Sequence, residues 1–96
     1  MIYSIKKIQK DIIPILKQHQ VKRAGLFGSI VNNTFHENSD IDVLVELPRD
    51  HSLLDRARLK VHLEDHFGRK VDVINYHSIK AHARTAILAS QVPIYP

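Results

Sequence analysis

Apolar residues near the start of the chain recur as Ile5, Ile8, Ile12 and Leu16. That is the spacing of one helical face, and it predicts a helix from about Ser4 to His19. Lys6, Lys7, Lys10 and Lys17 fall largely off this face. Pro14 interrupts the pattern; it lacks an N–H and crowds the preceding turn, so a kink or a split is expected there. The periodicity then changes. Lys22 to Phe27 reads as a strand ending at Gly28, and Asp40 to Glu46 as a second strand stopped by Pro48. Gly28 to Ser39 between them is polar and irregular, apart from a helical turn that could begin at Ser29.

Ser52, followed three residues later by Asp55, is a helix start of capping-box type. This helix continues through Leu54, Ala57, Val61 and Leu63 to Phe67, and Gly68 suits the left-handed position that ends it. Lys70 to Asn75 is a third strand. Ser78 is placed to cap a last helix, Ile79 to about Ala89, and Val92 to Tyr95 is a short extended tail. The order α-β-β-α-β-α predicts an α/β (α+β) fold, a small mixed sheet with helices packed on it. Residues 1–96 are expected to form a single small domain.

Composition narrows the function classes. There are no cysteines, which excludes disulfides and thiolate metal sites and fits a cytoplasmic location. No apolar run approaches the ~18 residues that cross a bilayer, and the N-terminus alternates apolar with basic residues instead of carrying a signal-peptide core. The net charge is +4, from 14 Lys and Arg against 10 Asp and Glu, and favours anionic partners. No RNA-binding motif or series of stacking aromatics supports direct RNA binding.

The acids sit where solubility gives no reason for them. Asp40 and Asp42 flank Ile41 on an apolar strand, and Asp72 lies between Val71 and Val73 on another. Residues i and i+2 of a strand share a face, so Asp40 and Asp42 project together while Ile41, Val43 and Val45 point into a core. Two adjacent carboxylates repel unless a cation lies between them, and Mg²⁺ takes carboxylate oxygens together with substrate phosphates. If the third strand is a neighbour, Asp72 completes a set able to hold two ions ~3.5–4 Å apart, as in-line phosphoryl displacement uses. Gly28-Ser29 closes the first strand; a glycine, free N–H groups and a hydroxyl there make a cradle for phosphates. Together these parts suit attack of a hydroxyl on the α-phosphate of a nucleoside triphosphate.

The joint pattern resembles the minimal nucleotidyltransferase (MNT) family, which shares the fold of DNA polymerase β. The motifs that carry the resemblance are Gly25-Leu26-Phe27-Gly28-Ser29, then Ser39-Asp40-Ile41-Asp42-Val43-Leu44-Val45, then Gly68-Arg69-Lys70-Val71-Asp72-Val73-Ile74. It extends over nearly the whole chain. The resemblance implies that Gly28 and Ser29 bind the nucleotide phosphates, that Asp40 and Asp42 hold Mg²⁺, and that Asp72 is a third ligand or the base activating the acceptor. It further implies an enzyme using ATP, and an antitoxin role in which AMP passes to a tyrosine of a HEPN-domain toxin. One departure stands out: the family continues Gly-Ser-x-Ala-Arg-Gly, and this chain has Asn32-Asn33 in place of the arginine and glycine. The alternative is therefore a catalytically weak antitoxin that neutralises its toxin by binding alone.

Other residues have plainer readings. His62 and His66 sit i, i+4, but Leu63 occupies the place of the glutamate of a zinc helix, so an exposed helical face is expected. His36 precedes Asp40 in the loop and reads as a surface residue. Lys6, Lys7 and Lys10 read as a solvated face. Arg49, Arg56 and Arg58 follow the Asp-bearing strand, and one of them is a candidate to touch the nucleotide.

Overall fold

A computed structural model describes residues 5–28 and 40–96 of the protein. In chain order its elements are helix α1 (Ile5–Gln18), strands β1 (Arg23–Phe27) and β2 (Ile41–Glu46), helix α2 (Leu53–Phe67), strand β3 (Val71–Asn75), a 3₁₀ turn (Tyr76–Ser78), helix α3 (Ala81–Ser90) and strand β4 (Val92–Tyr95). The strands form one mixed sheet in the order β3-β2-β1-β4. β1 runs antiparallel to both β2 and β4, and β2 runs parallel to β3. The parallel step is the one that needs a crossover, and α2 supplies it.

Alternation splits the sheet into two faces. Ala24, Leu26, Ile41, Val43, Val45 and Val71 are buried on one of them under α1 and α2. From α1 this core takes Ile8, Ile12, Ile15 and Leu16, the stripe expected from the spacing with Ile15 added. α1 runs through Pro14 without splitting. Pro14 is exposed, so water can satisfy the carbonyl that its missing N–H leaves free. α2 starts on the expected box, with Ser52 N donating to Asp55 Oδ2 at 2.7 Å, and ends on Gly68 at φ 64°. Its buried stripe is Leu59, Leu63 and Phe67; Leu54 and Val61 stay in water.

Three expectations are corrected. The Val92–Tyr95 tail is a strand, hydrogen-bonded along β1; four residues with a proline carry too little alternation to reveal it. Ser78 does not cap the last helix. It belongs to the 3₁₀ turn, and α3 starts after Lys80 without a side-chain cap. His62 is not on a solvated face: its Nδ1 lies 3.0 Å from His19 Nε2, joining α2 to α1, while His66 is exposed near Asp11.

The second face of the sheet positions the candidate site. Leu44 is buried there with Tyr76 and Ile79, and Phe27, Ile74, Ala83, Ile87 and Leu88 pack around them. α3 therefore covers the half of this face nearer the C-terminal ends of β2 and β3. The half at their N-terminal ends carries the aspartates. The β3 edge is closed at Val71 by α2: Lys60 donates to the Val71 carbonyl at 2.7 Å, and the Val71 N–H donates to Glu64 at 3.1 Å.

Candidate active site

The parallel register brings the carboxylates together. Asp42 is the partner of Asp72, one residue beyond Ile41 and Val71. Their carboxyl groups are close enough to share a proton. Asp40 precedes β2 on the same face, alongside Lys70, which precedes β3. Lys70 Nζ stands 3.9 Å from Asp40 Oδ2 and 4.0 Å from Asp72 Oδ1. The result is a row of three acids with one lysine facing two of them.

The electrostatics follow from that row. Burial pushes the Asp42 carboxyl up from its usual 3.8 to about 6; next come the charge of Asp72 and the proton shared with it, then Asp40, with Lys70 pulling the other way. A carboxylate held up by burial and then by two neighbouring acids is short of positive charge, which is the chemistry a divalent cation fits. Asp40 stands out on Lys70, however. Among the described residues no three acidic or histidine side chains already form a closed metal cage. Asp42 and Asp72 are the assembled part, and Asp40 would have to turn from Lys70 to complete it.

Gly28 lies against this row. Its φ is +79°, a region that L side chains rarely adopt, and a Cβ there would collide with the Asp42 carboxylate. The glycine thus lets backbone pass close to the carboxylates where the sequence places a phosphate cradle. Ser29, the other half of the expected cradle, lies outside the described residues, as do Asn32, Asn33 and His36.

Other residues of this face were not singled out in the sequence. Lys70 was legible, because it is two positions before Asp72 and must share its face. Gly25 was not. A Cβ on it would collide with the Gln91 side chain, whose Oε1 accepts from the Tyr76 hydroxyl at 2.6 Å. The Arg23 guanidinium lies 4.2 Å from the centre of the Tyr76 ring and bonds Glu46 at 2.8 Å. These groups fasten the end of α3 to the sheet, away from the aspartates. The arginines suggested as nucleotide contacts are misplaced for that role: Arg49 and Arg56 follow the C-terminal end of β2. Glu46 is already four residues past Asp42, ~13 Å along an extended chain.

Comparison with known proteins agrees with this fold. The family model described as polymerase beta, nucleotidyltransferase matches residues 10–96. A protein of Methanocaldococcus jannaschii, inferred to be a protein adenylyltransferase, is 47% identical over 91 residues, which cover 95% of this chain and 98% of its own. A solved structure of an inferred minimal nucleotidyltransferase superposes with a TM-score of 0.80 at 29% identity, over 93% of this chain and 91% of that one. The fold recurs in the complex of a tri-AMPylated HEPN toxin of Shewanella oneidensis with an MNT antitoxin, at a TM-score of 0.72 and 19% identity, over 93% of this chain and 70% of that one. The resemblance read from the three motifs is borne out along nearly their whole span, and this chain belongs to the polymerase β nucleotidyltransferase family, within which it is similar to the minimal nucleotidyltransferases.

Proposed function

We propose that this protein is an adenylyltransferase that moves AMP from ATP to a hydroxyl, most simply a tyrosine, of a HEPN-domain toxin and thereby acts as its antitoxin. The observation that carries the reading is the Asp42–Asp72 pair, with Asp40 beside it and Gly28 against it. The M. jannaschii relative supports protein as the acceptor class, and the Shewanella complex supports a HEPN toxin as the partner.

Asp40, Asp42 and Asp72 would hold Mg²⁺, as two ions. When bound, these supply the positive charge that stabilises the transferring phosphoryl group and its leaving group. The chain's own residues do the rest. Gly28, with Ser29, admits the triphosphate close to the carboxylates. The acceptor oxygen forms a bond to the α-phosphorus, the bond from that phosphorus to the bridging oxygen breaks, and pyrophosphate leaves with the electron pair. Asp72, with 40% of its side chain in water, takes the hydroxyl proton. Lys70 offers a cation at the same spot for a phosphate oxygen once Asp40 turns away from it.

The test uses ATP labelled at the α- or the γ-phosphate, with the cognate HEPN protein and Mg²⁺. Label from the α position alone is expected on the HEPN protein. Label from the γ position would mean phosphorylation, and none from either would remove the enzymatic reading. A second reading, neutralisation by binding alone, is favoured by Asn32 standing where the family has arginine. Under that reading an Asp40→Ala, Asp42→Ala double variant still protects cells from the toxin.

A further inference from the structure

The sheet carries a second concave region at the end away from the aspartates. A cavity of about 460 Å³ opens where β2 and β3 end, and Lys22, Glu46, Arg49, His51, Asn75 and His77 are in its wall. A smaller hollow of about 210 Å³ shares His51 and Asn75 with it and extends to Leu53 and Arg56 at the start of α2.

The wall is basic and its cations are unspent. Glu46 is its one acid, and Arg23 already holds that carboxylate at 2.8 Å. Among the described residues Lys22, Arg49 and Arg56 enter no ion pair. His51 Nε2 is 3.2 Å from Gln20 Oε1, while its Nδ1 is buried without a hydrogen-bond partner. An anionic group entering the cleft would find three free cations.

The lip is apolar. Leu53 is 75% exposed and Leu54 59% exposed on the first turn of α2, although the buried stripe of that helix lies elsewhere. A free phosphate or a nucleic-acid backbone has no use for two leucines, and among the described residues the cleft is lined by no Phe, Tyr or Trp on which a base would stack, only by the imidazoles of His51 and His77. Carboxylates flanked by apolar side chains match both features. We infer that the cleft where β2 and β3 end docks an acidic, apolar-flanked segment of the protein partner, away from the reaction centre. This rests on the reading that the AMP acceptor is a protein. It adds a second contact, which would hold that protein while a different part of it reaches the aspartates.

The test compares wild type with an Arg49→Glu, Arg56→Glu variant and with Leu53→Ser, each binding the cognate HEPN protein in calorimetry. Parallel titrations use a single-stranded RNA of about thirty nucleotides. Unchanged thermal midpoints, and an unchanged rise of the midpoint on adding Mg²⁺, show that the fold and the aspartate end are intact. Both variants are expected to bind the HEPN protein at least ~10-fold more weakly, with a higher KM for it in AMP transfer and a nearly unchanged kcat. Affinity within twofold of wild type in both variants would overturn the inference. So would salt-sensitive RNA binding that the charge reversal removes while HEPN binding persists. If wild type neither binds nor labels the HEPN protein, the protein-acceptor reading fails first and the docking cleft falls with it.

Discussion

Asp42 and Asp72 are register partners on the parallel strands β2 and β3, carboxyl against carboxyl, and burial, with Asp72 next, holds Asp42 up at about 6. Pairing like charges across a sheet is destabilising. It persists where a cation or a proton sits between them.

The stability of the metal-free protein should therefore fall as pH rises. A folded-state pKa above the unfolded value means that the folded state binds the extra proton. The contribution is whole below about 3.8 and is lost as pH passes through about 6. Thermal unfolding in EDTA is expected to show a midpoint that declines over this window. Mg²⁺ or Mn²⁺ should recover it above pH 6 and do little below pH 4. A flat profile, or an equal metal effect at both ends, would count against a shared proton at Asp42.

Replacing the ionisable group should separate stability from function. Asp42→Asn removes the repulsion, so at pH 8 without metal the variant is expected to melt above wild type. It should also lose the Mg²⁺-dependent rise, and AMP transfer should drop by at least ~100-fold. A variant that melts lower while keeping its metal response would contradict the role given to Asp42.

Lys70 is the cation facing the row, and it lowers the Asp42 pKa against the push of burial and the other acids. Lys70→Met should raise that pKa further. In Mg²⁺ titrations followed by melting temperature, the pH at which metal begins to stabilise should move upward. The KM for ATP should rise if the lysine also meets the phosphates. An unchanged pH onset would show that Lys70 is screened from Asp42.

Two glycines of one motif should fail for different reasons. Gly28→Ala places a side chain at φ +79° and against the Asp42 carboxylate, so a loss of ~1–2 kcal/mol in stability together with most of the activity is expected. Gly25→Ala strikes Gln91 instead and should loosen α3. Denaturant melts should show the loss, which shortening the other side chain by Gln91→Ala should partly relieve in combination. Additive losses in the double variant would place the collision elsewhere.

The course of the chain was legible where one face is buried. The α1 stripe, the two strands that carry aspartates and the box at Ser52 all declare themselves through apolar period or cap chemistry. Asp40, Asp42 and Asp72 were legible because a carboxylate between apolar neighbours needs a reason. The rest depends on pairing. That Asp72 meets Asp42 and not Asp40 is a matter of register, which no local pattern encodes. β4 is a strand because β1 offers it an edge, and Gly25 matters because Gln91 arrives from the far end of α3. The arginines after β2 were close to the aspartates in sequence, but a strand runs ~3.3 Å per residue and carries them to the opposite end of the sheet.

The central claim is transfer of AMP by the aspartate row, and the intact mass of the cognate HEPN protein tests it most directly. After incubation with ATP, Mg²⁺ and wild-type protein, its mass should rise by whole AMP units. It should stay unchanged with the Asp40→Ala, Asp42→Ala variant, which is expected still to bind it. No increment with wild type, or the same increment with the variant, would contradict the assignment.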